Sequence, residues 1–270
     1  MILTLTIVLV LLTILTTGKV NLSIRFRREV SRLFSLSNDL IDQKFTYRQL
    51  MGLPAPVQRY FKHVLKEGQS YINYVRLKHN GLFKTSLDGK WVKINGEQYF
   101  TTGKPGFAWK GITRMFTARD LFIGGKGRLR VALFSIYSIL DGEGAKYDQG
   151  ELLRWLAESA WFPTNLLPSD QMKWLPVDEH TANLTYQYRD ISLACTVTIN
   201  DAGEIIQFQT QRYMGETTLE TWIGKLSHYM PVDGMRIPTI TEAIWKIDQV
   251  EHSYAKFCVQ HIEFGVPLAF

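Results

Sequence analysis

Cysteine is nearly absent from this 270-residue chain, where Cys195 and Cys258 are the whole supply. Two thiols provide no disulfide framework, and their places on expected strands favour buried thiols over a bridge. Catalytic signatures are missing as well: there is no G-x-S-x-G, no H-E-x-x-H, no C-x-x-C and no glycine-rich phosphate loop. The six histidines, His63, His79, His180, His228, His252 and His261, are scattered, with no two spaced four apart on a helix. No metal site or cofactor is therefore expected, and each His reads as a surface or hydrogen-bonded residue. Between residues 71 and 264 there is no Pro/Gly-rich linker and no fixed-period repeat, which makes one domain the simplest account.

Charge is absent from residues 2–17, a run of Leu, Ile and Val in which Thr is the only polar type. Extended to Val20 by a snorkelling Lys19, it is just long enough to cross a bilayer at about 1.5 Å per residue. We read residues 1–20 as a single transmembrane helix. A cleaved signal peptide is the alternative; it normally has a basic amino end and a small-x-small site, and Thr16, Thr17 and Gly18 make a poor one. No Cys follows the run, so a lipoprotein anchor is unsupported.

Positive charge is concentrated next to that run. Residues 19–66 carry ten basic and three acidic side chains, a net of +7, one more than the +6 of the whole chain, so residue 67 onward sums to −1. A basic juxtamembrane segment suits anionic lipid headgroups rather than a nucleic-acid groove, with a plain solvated helix face as the equal alternative. The positive-inside rule places these cations in the cytoplasm.

Periodicity divides the rest. Residues 22–36 fit an amphipathic helix with Ile24, Phe26, Val30, Leu33 and Phe34 on one face, and residues 38–48 a polar connector. Pro54 and Pro56 open a second helix with Val57, Tyr60, Phe61, Val64 and Leu65 on its apolar side. From residue 71 the period becomes 2, with turns expected at Asp88-Gly89, Asn95-Gly96, Lys104-Pro105-Gly106 and Gly124-Gly125 and a loop over 141–144. A helix interrupts the strands at about 149–162: Asp148 is its expected cap with Glu151 as the answering half of a capping box, and Pro163 stops it. Strands then return through residue 264, with Val232-Asp233-Gly234-Met235 as a hairpin signal. The fold expected is mainly β (α+β): a large curved antiparallel sheet or half-barrel over residues 53–270, with the central helix packed on its concave face, joined by a basic segment over 21–52 to the membrane helix.

Four motifs carry a resemblance. L-P-x-P-V-x-R-Y at 53–60, Q-Y-F-T…P-G-F-x-W at 98–109, G-E-L-x-R-x-L-x-E-x-x-W-F-P-T at 150–164 and V-D-G-x-R-I-P at 232–238 resemble a bacterial family of unknown function whose members commonly carry an N-terminal membrane segment. More distantly, strands flanking V-D-G-x-x-x-P are similar to those of the lipoprotein carriers LolA and LolB, which implies an open half-barrel over a hydrophobic cavity. Those carriers face the periplasm or exterior, against the charge argument, so the cell (inner) membrane is expected with the side open.

Three functions follow. The leading one is a membrane-anchored protein that binds a lipid or other hydrophobic ligand between sheet and helix, with Tyr99, Phe107, Trp109, Trp155 and Trp161 lining the cleft and Arg154 and Glu158 at its edge. The partners would be membrane lipid and that ligand, with no nucleic acid. The second is a hydrolase using Glu151 and Glu158, two helical turns or roughly 10 Å apart, as acid and base; the simpler and favoured reading of the same residues is a cap and an Arg154–Glu158 ion pair. The third is a non-catalytic assembly protein at the membrane surface.

Overall fold

The computed structural model describes residues 1–37, 40–215 and 217–270; residues 38 and 39 of the expected connector lie outside the described residues. Helix α1 (Ile2–Ser35) comes first, then α2 (Ala55–Val64). Six strands follow, β1 (Tyr74–Phe83), β2 (Val92–Thr101), β3 (Gly106–Ile112), β4 (Phe116–Ile123), β5 (Lys126–Leu133) and β6 (Tyr137–Glu143). Helix α3 (Ala145–Glu158) separates them from β7 (Met172–Pro176), β8 (Thr181–Tyr188), β9 (Ile191–Ile199), β10 (Ile205–Tyr213), β11 (Leu219–Val232), β12 (Met235–Ile247) and β13 (Val250–Phe264). All are joined in one sheet, ordered β6-β5-β4-β3-β2-β1-β13-β12-β11-β10-β9-β8-β7. Short turns between successive strands make the neighbours antiparallel, and β1 with β13 completes the ladder between the two runs.

The sheet curls around α3. That helix touches β3 to β6 near one edge and also β9 and β10 near the other, which only a curved sheet permits. Across the opening, Arg189 donates from Nη1 to the Gly124 carbonyl at 2.8 Å, and the Phe122 and Tyr188 rings meet at 6.2 Å. The edge strands β6 and β7 do not pair, so the half-barrel stays unclosed.

Alternation along the strands assigns the two faces. On β2 to β4, Phe100, Phe107, Trp109 and Phe122 point inward to the main core, whereas Tyr99, Ala108 and Leu121 point outward. The outward set is covered by Phe26, Val30, Leu33 and Phe34 of α1. Glu29 fastens the helix there, accepting from Arg119 Nη1 at 2.7 Å with Arg130 at 3.5 Å. The expected membrane helix and amphipathic helix are thus one continuous α1 of 34 residues, about 51 Å long at 1.5 Å per residue. Ile24, expected on the buried face, is 44% exposed. An 18-residue window of α1 has mean hydropathy 2.0 and none of it is buried. Inside the trough, Val57, Tyr60, Phe61 and Val64 of α2 fill one end against Ile199, Ile205, Met235 and Ile237.

Four local expectations are corrected. Asn95-Gly96 is not a turn but lies within β2, where a Cβ on Gly96 would sit 2.1 Å from His79 Nε2; the glycine makes room for a buried imidazole. Residues 141–143 belong to β6 rather than a loop. Helix α3 starts four residues earlier than expected with Gly144 as its cap, at φ 108, and ends at Glu158 before a 3-10 turn at Ser159–Trp161. Asp148 does not cap it: its carboxylate accepts from the Gly127 amide at 2.7 Å and Lys126 Nζ at 3.0 Å, tying the helix to β5.

Candidate ligand cavity

Small residues across three strands leave a space that α3 does not fill. Gly224 pairs with Ala243, and Ala243 with Ala255, so β11, β12 and β13 together present a row without bulk. The result is a cavity of about 600 Å³ between α3 and the sheet, within the range of roughly 300–1,000 Å³ typical of small-molecule sites. Its walls are mainly apolar, with Phe83, Phe116, Trp161, Phe208, Trp222 and Trp245 among the lining residues.

One wall carries a charged cluster. Arg154 of α3 donates from Nε to Glu158 Oε1 at 2.9 Å and from Nη1 to Asp120 Oδ2 of β4. Its guanidinium lies 4.8 Å from the Trp109 ring centroid and 5.1 Å from that of Phe107, a cation–π seat that replaces part of the lost hydration. Gln98 Nε2 donates to Glu158 Oε2 at 2.6 Å, so both oxygens of Glu158 are engaged. Glu151, one turn before Arg154, stands 3.8 Å from Arg212 Nη2 of β10. His79 supports the seat from behind by accepting from Trp109 Nε1 at 2.7 Å; burial, then the nearby Arg154 charge, push its pKa down to about 3, so the ring is neutral.

Burial sets the protonation of the cluster. It raises Asp120 and Glu158 above the ordinary carboxylate range, against the pull of Arg154. Glu151 is pushed up to about 8, first by burial and next by the Asp120 charge, and holds a proton at neutral pH. Burial works against the Arg154 charge, but Glu158, Asp120 and Glu151 overcome it and raise its pKa. With Glu151 protonated, two carboxylates balance two guanidinium groups. Four buried polar atoms on the cavity's lining residues have no hydrogen-bond partner: Asp120 Oδ1, Glu151 Oε2, Arg154 Nη2 and Trp161 Nε1. Buried polar atoms are rarely left so, and here the residues that carry them border the cavity while the atoms themselves lie just behind its surface.

This arrangement predicts a pH dependence. A carboxyl raised from 4.5 to about 8 on folding stabilises the protonated folded state; its contribution is full below the unfolded value and is lost as pH climbs through 4.5 toward 8. Wild-type stability should therefore fall between about pH 5 and pH 8, and Glu151→Gln should flatten that slope, leaving the smaller part due to Asp120 and Glu158. Thermal midpoints of both proteins across that window give the comparison; parallel profiles would mean Glu151 is ordinarily ionised.

Of the residues expected at a cleft, Trp109, Arg154, Glu158 and Trp161 border the cavity. Tyr99 lies on the opposite sheet face against Phe26 and Phe34, its outward parity placing it under α1. Phe107 and Trp155 are core residues outside the lining; Phe107 lies under Arg154, and Trp155 Nε1 donates to the Thr101 carbonyl at 2.9 Å. Asp120, Gln98 and Arg212 were not singled out from the sequence. Strand parity with Phe122, Phe100 and Phe208 points all three inward, and that was the available signal. Cys195 and Cys258 are free thiols, and among the described residues no three His, Cys, Asp or Glu side chains gather where a metal ion could bind.

Solved structures to which the chain is similar include two from bacteria. A LolA superfamily protein from Nitrosomonas europaea superposes with a TM-score of 0.43 at 8% identity, covering 81% of this chain and 95% of that one. A putative outer membrane lipoprotein-sorting protein domain from Vibrio parahaemolyticus gives 0.41 at 10% identity, covering 73% and 87%. No curated protein matches the sequence. Residues 43–257, most of the chain and all four motif regions, match one family description, and the chain belongs to the Family of unknown function (DUF6544).

Proposed function

We propose that this chain is a membrane-anchored binding protein that holds one amphiphilic ligand, a lipid or lipid-like molecule, in the cavity between α3 and the sheet. The observation that carries it is the pairing of about 600 Å³ of mainly apolar space with four unpartnered polar atoms on its lining residues. An acyl chain suits the first, and a hydrogen-bonding head suits the second once those side chains turn toward the space. Because the cluster is near neutrality with Glu151 protonated, it suits an uncharged or zwitterionic head bearing hydroxyl, carbonyl or amide groups. An isolated anionic head would face Asp120 and Glu158, and an isolated cation would face Arg154 and Arg212.

Helix α1 supplies the anchor in this reading, as a single span through its apolar first half. A hydrolytic role is less well supported: Glu158 is held by Arg154 and Gln98, and Glu151 is 3% exposed beside Arg212. The test is native mass spectrometry of the full chain released from detergent micelles. One amphiphile mass per chain, surviving micelle removal, is expected; a bare chain mass from every preparation, also after incubation with membrane lipid extract, would contradict the proposal.

A further inference from the structure

The cavity has a mouth, and its position relative to α1 is informative. Phe83 ends β1, Phe116 begins β4 and Tyr213 ends β10, so these lining residues belong to one end of the trough. The exposed lining residues are there too: Ile139 is 55% exposed and Met214 42%. At this same end the hairpin tips carry exposed apolar side chains, Met115 between β3 and β4, Phe134 and Ile136 between β5 and β6, and Tyr137 at the start of β6. The two tips are joined, since the Phe134 amide donates to the Met115 carbonyl at 2.7 Å.

Helix α1 leaves the sheet at these tips. Its Leu36 end lies beside Gly124 at the far end of β4, whereas a Cβ on Gly18 would fall 2.5 Å from Ile136 Cγ1. The uncharged run 2–17 lies N-terminal to Gly18, in the half of α1 that carries the apolar stretch, so the lipid-like part of the chain begins where the mouth and the tips are. Exposed cations flank the junction at Lys19, Arg25 and Arg28 of α1 and Arg114 beside Met115. Apolar tips with adjacent cations fit the boundary between acyl chains and anionic headgroups.

Resting on the cavity reading and on α1 as a span, we infer that the mouth opens onto the bilayer and that Met115, Phe134, Ile136 and Tyr137 dip into it, so a membrane lipid enters directly from the leaflet. The lipid enters head first. Asp120 lies four residues along β4 from Phe116, about 13 Å inward at roughly 3.3 Å per residue. A leaflet lipid presents its head toward the domain, so the head reaches the charged cluster while its chains stay against Phe83, Phe116 and Ile139 near the bilayer.

The test places an environment-sensitive fluorophore on the full chain in a Cys258→Ser background, Cys195 being 2% exposed and out of reach of the label. Met115→Cys and Tyr137→Cys report the tips independently, and Asp201→Cys, whose side chain is 93% exposed in the β9–β10 turn, reports the opposite end. The proteins are reconstituted in phosphatidylcholine–phosphatidylglycerol vesicles with brominated acyl chains. A blue shift and severalfold quenching at 115 and 137, with none at 201, are expected. No quenching at 115 and 137, or equal quenching at all three, would overturn the inference. An amphiphile still bound to each chain in the unquenched case would leave the cavity reading standing and remove only the membrane-facing mouth.

Discussion

Replacing Arg154 by Met should destabilise the protein by about 3–5 kcal/mol, the range for removing one partner from a buried ion cluster. Arg154 is the common partner of Asp120 and Glu158, and its side chain is only 12% exposed. Met keeps the aliphatic length and the contact with Trp109, so the loss is electrostatic: Asp120 and Glu158 must then protonate or stay charged without a partner. The sign with pH follows. All three carboxyls are raised by burial, and without the guanidinium they rise further, so the deficit should be largest near about pH 8 and shrink toward pH 5 as protons are taken up. At about 2–4 °C per kcal/mol for a domain of this size, the thermal midpoint should drop by roughly 10 °C at neutral pH. A fall of less than about 1 kcal/mol would show the cluster to be hydrated and the cavity wall polar throughout.

Ala243→Trp should abolish ligand retention while leaving the fold intact. Ala243 sits in the middle of the small-residue row, between Gly224 and Ala255, and borders the cavity. An indole there projects into existing volume rather than into packed core, so the overpacking cost of about 1–3 kcal/mol typical of filled interiors is largely avoided. The ligand, however, loses the space its chain needs. We expect at least about a tenfold fall in the fraction of chains carrying an amphiphile, equivalent to about 1.4 kcal/mol of binding. Unchanged occupancy together with an unchanged midpoint would place any bound lipid elsewhere on the chain.

What the sequence made legible was whatever depends on period. The period-2 runs and their turns yielded the long antiparallel sheet, and Trp109 with Phe107 marked one apolar side of it. The interruption expected at about 149–162 stood out as a helix because strand neighbours surround it, although its observed bounds lie four residues earlier. Charge and apolarity gave α1 its two halves, although its docking on the sheet uses Glu29 with Arg119 and Arg130, partners about a hundred residues away. The site was less accessible. Glu151 looked like half of a cap because helix starts are recognised by local spacing, whereas its real surroundings, Arg212 and Asp120, come from β10 and β4. The space itself arises from Gly224, Ala243 and Ala255, three small residues that mean nothing until strand register sets them side by side. Asn95-Gly96 misled for the same reason: its glycine answers His79 on the adjacent strand, not a turn.

The central claim is that an amphiphile occupies the space between α3 and the sheet, and a photoreactive lipid tests it most directly. Full-length protein in phosphatidylcholine vesicles containing a fatty-acyl lipid with a diazirine near the chain end would be irradiated, digested and mapped by mass spectrometry. The account predicts adducts on cavity-lining peptides, those holding Phe83, Phe208, Trp222 and Trp245, in addition to those on α1, and their disappearance in Ala243→Trp with the α1 adducts retained. Adducts confined to α1 in the wild-type protein would contradict it.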